Sequence, residues 1–454
     1  MLYIAVLMQG NEVRPGQIVL SRRQLLGAVA TGALTADYLV RSGNASAQTP
    51  SLSPQPIICE SPQPSPSEQP SRSPELSIYL TPEMQERASE AFDEGYRVFK
   101  SRYLIKAGDG ALRTQFDGQK EGSDTAFEYQ SIAEIFAAYA GDFDTLRKFY
   151  KYDDRYKQRN GLTPWWIGSN GKVKDETVVS NVSMYMAFAR LISPDEERKQ
   201  EGREILQGLV DTDTINPDTD IPQAFHWPDS YNLTNPAFWS PYLLEQFAQA
   251  EPYWNQVSEA TRKLMAEVDR KIEKGDWVYF PKWVDMKGHL TPKDEVPPPP
   301  IWGVIDYDAS YVPLNQAMGA IYCEDPIARD DARKQLAIAN EFFYSKIAIK
   351  DSGKVVGYDA SNLLDGYDLK TGDPKKIENG KVITDDDHPE LFWDETAWTS
   401  AAAVASIASN DPEYRQYMFK TLMNMSPASD HPFNALMRTF SVLILSGRMG
   451  EAKP

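Results

Sequence analysis

The sequence predicts an all-α fold, an (α/α)6 toroid in which about twelve antiparallel helices form an inner and an outer ring. Apolar residues recur at helical spacing from Leu80 onward, in segments mostly about 10–20 residues long. Strand-like alternation is scarce, and loops rich in Asn, Asp, Gly and Pro separate the segments. A solenoid of helical repeats is the alternative, but the chain has no fixed sequence period.

The first helix has a clear start signal. Thr81 is suited to the N-cap, Pro82 to the first helical position, and Glu83 to the first turn. Helical spacing predicts a helix from there to Ile105, followed by further helices over 127–140, 143–151, 177–192, 195–210, 239–250, 254–273, 309–323, 326–347, 396–409, 411–424 and 433–447. Long polar loops lie between some of these helices, at 211–236, 284–303 and 350–394. We expect such loops to form the walls of a cleft for a polymer.

Charge and composition limit the classes of function. The chain has 454 residues, a formal net charge of −18 and a sequence pI near 4.8. A nucleic acid would be repelled by this charge, so no nucleic-acid partner is expected. Aromatic residues make up 11% of the chain. Flat rings can cover the apolar faces of sugar rings, but we expect packing in the core to account for most of these residues.

The cysteines and histidines predict neither a metal site nor a cofactor. Cys59 lies in a stretch rich in Pro and Ser, and Cys323 ends an apolar segment, so two free thiols are favoured over a disulfide. The four histidines are scattered and do not have metal-ligand spacing.

The N-terminal region is typical of an export signal of the twin-arginine type. Ser21-Arg22-Arg23-Gln24-Leu25-Leu26-Gly27 carries the paired arginines, a short apolar stretch follows, and Ala45-Ser46-Ala47 offers a cleavage site. The apolar stretch is too short to span a bilayer, so no stable membrane span is expected. We therefore predict an export signal over 1–47, a Pro/Ser-rich linker over 48–76 and a folded domain over 77–450, located in the periplasm or outside the cell.

Two acidic residues far apart in sequence are candidates for catalysis. Glu128 begins an apolar helix, and Asp308 lies about 180 residues later in Tyr307-Asp308-Ala309-Ser310. Two carboxyl groups that meet across a cleft can hydrolyse a glycosidic bond by acid/base chemistry. Taken singly, Glu128 is better explained as a carboxylate at a helix N-terminus, and Asp308 as an N-cap or loop acid; the ordered set of similar segments around them favours an active site.

The segments around these acids resemble glycoside hydrolase family 8, which includes bacterial endo-1,4-β-glucanases, chitosanases and xylanases. The family pattern S-E-G-Q-G-Y-G-M, followed by A-Y-A-G-D, corresponds here to Phe127-Glu128-Tyr129-Gln130 and 138–142. The pattern Y-D-A-x-R-V-P corresponds to 307–313. The remaining similar segments occur in the family's order, at 160–165 (N-G-L-x-x-W), 235–241 (N-P-S-Y-F-x-P), 281–285 (P-D-W-x-D) and 438–447.

The resemblance implies an inverting reaction in which Glu128 is the general acid and Asp308 the general base. Their carboxyl groups should then lie roughly 6.5–9.5 Å apart, with room for a water between them. Residues expected to bind substrate are Trp165, Tyr307, Trp239 and Trp283 by stacking, together with Gln130, Tyr311 and Asn181. For Trp239 and Trp283, a core position is an equal alternative.

Three departures from the family pattern fall where the sugar would be held. The string A-[ST]-D-[AG]-D-x-x-[IM]-A should fall near 176–184, and its acids are missing there. Asp175, Glu176 and Asn181 are candidates to replace them. In addition, the Arg of Y-D-A-x-R is Tyr311, and the Asp of P-D-W is Lys282.

Three functions follow from this pattern. The first is an exported, monomeric endo-1,4-β-glucanase acting on a β-glucan polysaccharide, linked to a cellulose synthesis or secretion apparatus. The second is a hydrolase of another polymer, such as xylan or chitosan. The third is a catalytically impaired relative that binds glycan or a secretion partner.

Overall fold

Helices dominate the computed structural model. It describes residues 76–116, 122–226, 232–290, 304–305, 307–364, 366–374, 376–378, 381–383, 396–429 and 431–451, which belong to the compact unit Arg72–Pro454. The predicted export signal, nearly all of the linker, and Cys59 lie outside the described residues. Cys323 is buried and has a free thiol.

Thirteen α-helices occur in the described residues. They are α1 (Leu76–Tyr79), α2 (Pro82–Tyr103), α3 (Phe127–Tyr139), α4 (Phe143–Asp153), α5 (Ser180–Leu191), α6 (Glu196–Asp211), α7 (Pro241–Ala250), α8 (Trp254–Glu273), α9 (Tyr311–Tyr322), α10 (Pro326–Ile347), α11 (Thr396–Ala405), α12 (Pro412–Asn424) and α13 (Pro432–Ser446). Short 3₁₀ helices lie at Pro236–Phe238, Tyr307–Ser310, Ala360–Asn362, Ser406–Ala408 and Arg448–Gly450.

The strands are short and pair antiparallel. They are β1 (Leu104–Lys106), β2 (Leu112–Thr114), β3 (Thr125–Ala126), β4 (Trp166–Ile167), β5 (Val173–Asp175), β6 (Val178–Val179), β7 (Phe225–His226), β8 (Leu233–Thr234), β9 (Val284–Asp285), β10 (Val304–Ile305), β11 (Ala348–Asp351), β12 (Lys354–Tyr358), β13 (Tyr367–Asp368), β14 (Lys376–Glu378) and β15 (Lys381–Ile383). The pairs are β1–β2, β3–β4–β5, β6–β7, β8–β9, β10–β13, β11–β12 and β14–β15.

From α2 to α13 the helices alternate between an outer and an inner position. The inner helices α3, α5, α7, α9, α11 and α13 are rich in apolar residues, and most of their side chains are buried. Each contacts the next inner helix, and α13 contacts α3, which closes the ring. The outer helices present polar faces to solvent, and each packs against an inner partner, as α2 does against α13 and α10 against α9. The predicted (α/α)6 toroid is therefore confirmed.

Small side chains allow the two rings to approach closely. In α11, the buried residues Ala401, Ala402 and Ala403 have small side chains, so neighbouring helices can pack close to its backbone. In α9, a Cβ at Gly319 would lie only 2.7 Å from the Cβ of Ala332 in α10, which is closer than two non-bonded carbon atoms can approach. Glycine is therefore needed where these two helices touch.

The predicted helix boundaries hold to within a few residues. Thr81 caps α2, where its Oγ1 accepts a hydrogen bond from the Met84 amide at 3.3 Å. The prediction of helix from 177 was too early, because Val178 and Val179 pair with β7 before α5 begins at Ser180. The helix predicted over 396–409 ends at Ala405 and continues as a 3₁₀ turn.

The alternation of inner and outer helices also determines where a site can form. Because each inner helix is followed by an antiparallel outer one, the inner helices point in the same direction and their N-termini gather at one end of the ring. The short strands β3 and β6 lead directly into α3 and α5, and β10 leads through a 3₁₀ turn into α9. Among the described helices, none has the length and apolar character that a bilayer crossing requires.

Candidate active site

Glu128 is the second residue of α3, at the end of the ring where the inner helices begin. It follows β3, which is fixed by pairing of Ala126 with Trp166 in β4. The carboxyl group is partly buried, and its Oε1 accepts a hydrogen bond of 2.9 Å from the hydroxyl of Tyr311 in α9. This bond joins the first turns of two inner helices that are remote in sequence.

Asp308 lies in the 3₁₀ turn Tyr307–Ser310, immediately before α9. Its Oδ2 is 2.8 Å from the Nζ of Lys282, and these side chains are only 16% and 9% exposed, respectively. Lys282 comes from the loop between α8 and α9. The ion pair therefore connects two segments at the same end of the toroid as Glu128.

The two acids interact electrostatically. The pKa of the Glu128 carboxyl is raised from 4.5 to about 7, first because burial removes water from the charged form and second because the negative charge of Asp308 disfavours ionisation. The hydrogen bond from Tyr311 and the charge of Lys282 act in the opposite direction. A carboxyl group with this pKa holds its proton near neutral pH, as a general acid must.

Two buried polar residues of the inner helices support this arrangement and were missed in the sequence. The Tyr185 hydroxyl in α5 donates to Asn315 Oδ1 in α9 at 3.2 Å, and Asn315 Nδ2 donates to the Ala237 carbonyl at 2.7 Å. The pKa of Tyr185 is raised, mainly by burial and further by the charge of Glu128. A signal was present, since Tyr185 and Asn315 are polar groups within otherwise apolar segments.

Gln130 and Trp239, both predicted to bind substrate, lie inside the protein. Gln130 is 0% exposed, and its side-chain amide accepts from the Thr114 amide at 3.0 Å and donates to Asp153 Oδ1 at 3.2 Å. Trp239 is also buried, and its indole N–H donates to Thr234 Oγ1 at 2.9 Å. The alternative of a core position, given for Trp239 from the sequence, describes what is found.

The other predicted aromatic residues lie closer to the surface. Trp165 and Trp283 are partly buried; Trp165 packs against Trp166 with ring centroids 5.9 Å apart. Lys282 Nζ lies 5.8 Å from the centre of the Trp283 ring, so Trp283 neighbours the ion pair. The side chain of Tyr307 lies outside the described part of the structure. Tyr311 is 1% exposed and acts on Glu128 rather than presenting a surface for stacking.

In the segment that lacks the family's acids, two side chains accept hydrogen bonds from neighbouring backbone amides. Asp175 is buried, and its Oδ1 accepts from the Thr177 amide at 2.9 Å, while its Oδ2 has no hydrogen-bond partner among the described residues. Glu176 is exposed. Asn181 is buried at the start of α5, where its Oδ1 accepts from the Val182 amide at 2.9 Å.

Within the described residues, no group of three His, Cys, Asp or Glu side chains could hold a metal ion.

Comparison with solved structures defines the class of fold. A β-1,3-1,4-glucanase from Paenibacillus sp. X4 superposes with a TM-score of 0.66 at 17% identity, covering 84% of this chain and 96% of its own. A cold-adapted family 8 xylanase gives a TM-score of 0.63 at 16% identity, covering 84% and 95%. The L320A mutant of Rex8A from Paenibacillus barcinonensis, complexed with xylose, gives 0.64 at 16%, covering 85% and 98%.

The chain thus has the toroidal fold of family 8 glycoside hydrolases, and the resemblance found in its sequence is confirmed for the fold. No family model and no curated protein matches the sequence. The low identity to the solved structures makes this chain a divergent example of the fold.

Proposed function

We propose that the protein is an inverting glycoside hydrolase of β-linked polysaccharide, with Glu128 as general acid and Asp308 as general base. The observation that carries the proposal is the raised pKa of Glu128, about 7, beside the negative charge of Asp308 at the end of the inner ring. Two carboxyl groups with different environments supply one proton donor and one proton acceptor.

The reaction balances with these two groups. Asp308 removes a proton from water as the water oxygen bonds to the anomeric carbon. The glycosidic carbon–oxygen bond breaks, and the leaving oxygen takes the proton of Glu128. The configuration at the anomeric carbon is inverted because the water enters opposite the leaving sugar.

For the polymer, we propose internal cleavage of a β-1,4-glucan, with an exported, monomeric enzyme linked to a cellulose synthesis or secretion apparatus. The family resemblance of the segments around both acids supports a glucanase, and the twin-arginine pattern supports export. Xylan and chitosan are alternative substrates, because the segment at 176–184, Tyr311 and Lys282 all depart from the family pattern. Trp165 and Trp283 are proposed to stack on the sugar rings.

Release of reducing ends from carboxymethyl-cellulose, mixed-linkage β-glucan, xylan and chitosan tests the proposal. We expect release from at least one polymer, with an immediate product of inverted configuration by proton NMR. Glu128→Gln and Asp308→Asn should each abolish it, while Glu86→Gln, on the exposed face of α2, should leave it unchanged. A protein that binds these polymers but releases no ends would favour the catalytically impaired alternative. Release that persists in Glu128→Gln would remove the assignment of the acid.

A further inference from the structure

Two residues that depart from the family pattern contact the proposed catalytic groups, one the acid and the other the base. Tyr311 stands where the pattern has Arg, and its hydroxyl donates to Glu128 at 2.9 Å. Lys282 stands where the pattern has Asp, and its ammonium lies 2.8 Å from Asp308. A positive side chain is thus lost at 311 and gained at 282, on the neighbouring loop.

The Lys282 ammonium is held in place by the protein. The side chain is 9% exposed, and burial of a lysine is unfavourable unless its charge is paired. Its loop is fixed by β9, which begins two residues later and pairs Val284 with Thr234 of β8. The neighbouring Trp283 packs on Phe225 with ring centroids 5.5 Å apart. Strand pairing and ring packing therefore hold the segment that carries Lys282.

We propose that Lys282 and Tyr311 are positioning residues that keep the acid and the base in separate roles, with the positive charge moved from residue 311 to residue 282. Lys282 holds Asp308 as the negatively charged partner, and Tyr311 fixes the orientation of the Glu128 carboxyl. This inference rests on the proposed function of the same site.

The hydrogen bond to Glu128 also identifies the oxygen that donates its proton. In a neutral carboxyl group the carbonyl oxygen is the better acceptor, so the oxygen that receives the Tyr311 bond, Oε1, is the carbonyl oxygen. The proton is then on Oε2, and in this proposal the leaving oxygen takes it from there. Tyr311→Phe would remove this preference and keep the aromatic ring.

Several charged or titratable groups act on Glu128, and they come from different elements. Asp308 raises its pKa, whereas Lys282 and the hydrogen bond from Tyr311 lower it. Tyr185 of α5 lies near enough for the charge of Glu128 to raise the pKa of the Tyr185 hydroxyl. Removal of the Lys282 charge should therefore raise the pKa of Glu128.

The test compares three lysine variants in the full-length protein. In Lys282→Met the upper limb of the kcat/KM pH profile should move to higher pH by on the order of one unit, because a positive charge close to the acid is gone. Lys282→Arg keeps the positive charge, so the upper limb of its pH profile should stay at the wild-type position. Lys263→Met removes the same charge from an exposed site on α8 and should change nothing. An unmoved limb in Lys282→Met, or an equal shift in Lys263→Met, would overturn the proposal.

A second measurement does not require activity. The infrared absorption of the protonated Glu128 carboxyl, assigned by its loss in Glu128→Gln, reports the same titration directly. If no polymer is cut but Lys282→Met still moves this titration upward, the proposed hydrolysis fails while the positioning role stands. If hydrolysis occurs and the titration is unmoved, only the positioning role fails.

A charge exchange gives an independent check. Lys282→Asp places an acid beside Asp308 and should reduce kcat at least tenfold, about 1.4 kcal/mol. Combining it with Tyr311→Arg restores the family's arrangement of charges and should recover most of that loss. If the folded double variant has a kcat no higher than that of Lys282→Asp, the proposed movement of the charge is contradicted. If the double variant does not fold, the comparison of Lys282→Met with Lys282→Arg decides the question.

Discussion

The stability of this protein should depend on pH through Glu128, and replacement by Gln should remove that dependence. Burial and Asp308 raise the pKa of Glu128 from 4.5 to about 7 in the folded state. Between these two values the unfolded chain has lost the proton and the folded chain retains it, so the unfolded state binds fewer protons and stability falls as pH rises. The contribution is fully present below about pH 4.5 and fully lost above about pH 7.

The size of this effect follows from the two pKa values. The interval from 4.5 to about 7, at about 1.4 kcal/mol per pH unit, corresponds to about 3 kcal/mol. Gln is uncharged throughout this range, and its amide oxygen can still accept the hydrogen bond from Tyr311. Glu128→Gln should therefore match the wild-type protein at low pH and exceed its stability by up to about 3 kcal/mol at about pH 8.

Urea unfolding at about pH 4 and about pH 8 measures the difference in the free energy of unfolding. The same variant should have lost hydrolytic activity, so a gain in stability would accompany a loss of function. Glu86→Gln, at an exposed position of α2, is the matched control and should show no such pH dependence. A difference between Glu128→Gln and wild type that is constant with pH, or largest at low pH, would refute the reasoning.

Three other substitutions test the fold and the cleft. Arg190→Met should destabilise the protein by roughly 3–5 kcal/mol in urea unfolding, because it leaves two buried carboxyl groups without their cation; Arg190 lies 3.0 Å from Glu134 and 3.1 Å from Asp153. Gly319→Ala should lower stability by about 1–3 kcal/mol, because α9 and α10 touch there. Trp165→Ala should raise KM more than it lowers kcat and leave the melting temperature close to wild type, if its partly buried ring stacks on sugar.

Local signals in the sequence predicted the helices well. The Thr81 cap, the helical spacing of apolar residues and the loops between segments gave helix positions that the structure reproduces within a few residues. The reason is that capping and amphipathic spacing depend on residues within a few turns of each other. The alternation of mainly apolar segments with more polar ones also indicated the two rings, since an inner helix such as α9 is buried on every side whereas an outer helix such as α10 has an exposed face.

The partners of the two acids were decided by tertiary structure. Tyr311 and Lys282 appeared in the sequence as departures in the shell that holds the substrate, yet they contact Glu128 and Asp308 themselves. Gln130 is adjacent to this region in sequence, but its side chain points into the core, where it bonds Thr114 and Asp153. Which side chains meet depends on how helices remote along the chain are rotated and packed, and no local pattern of residues specifies that.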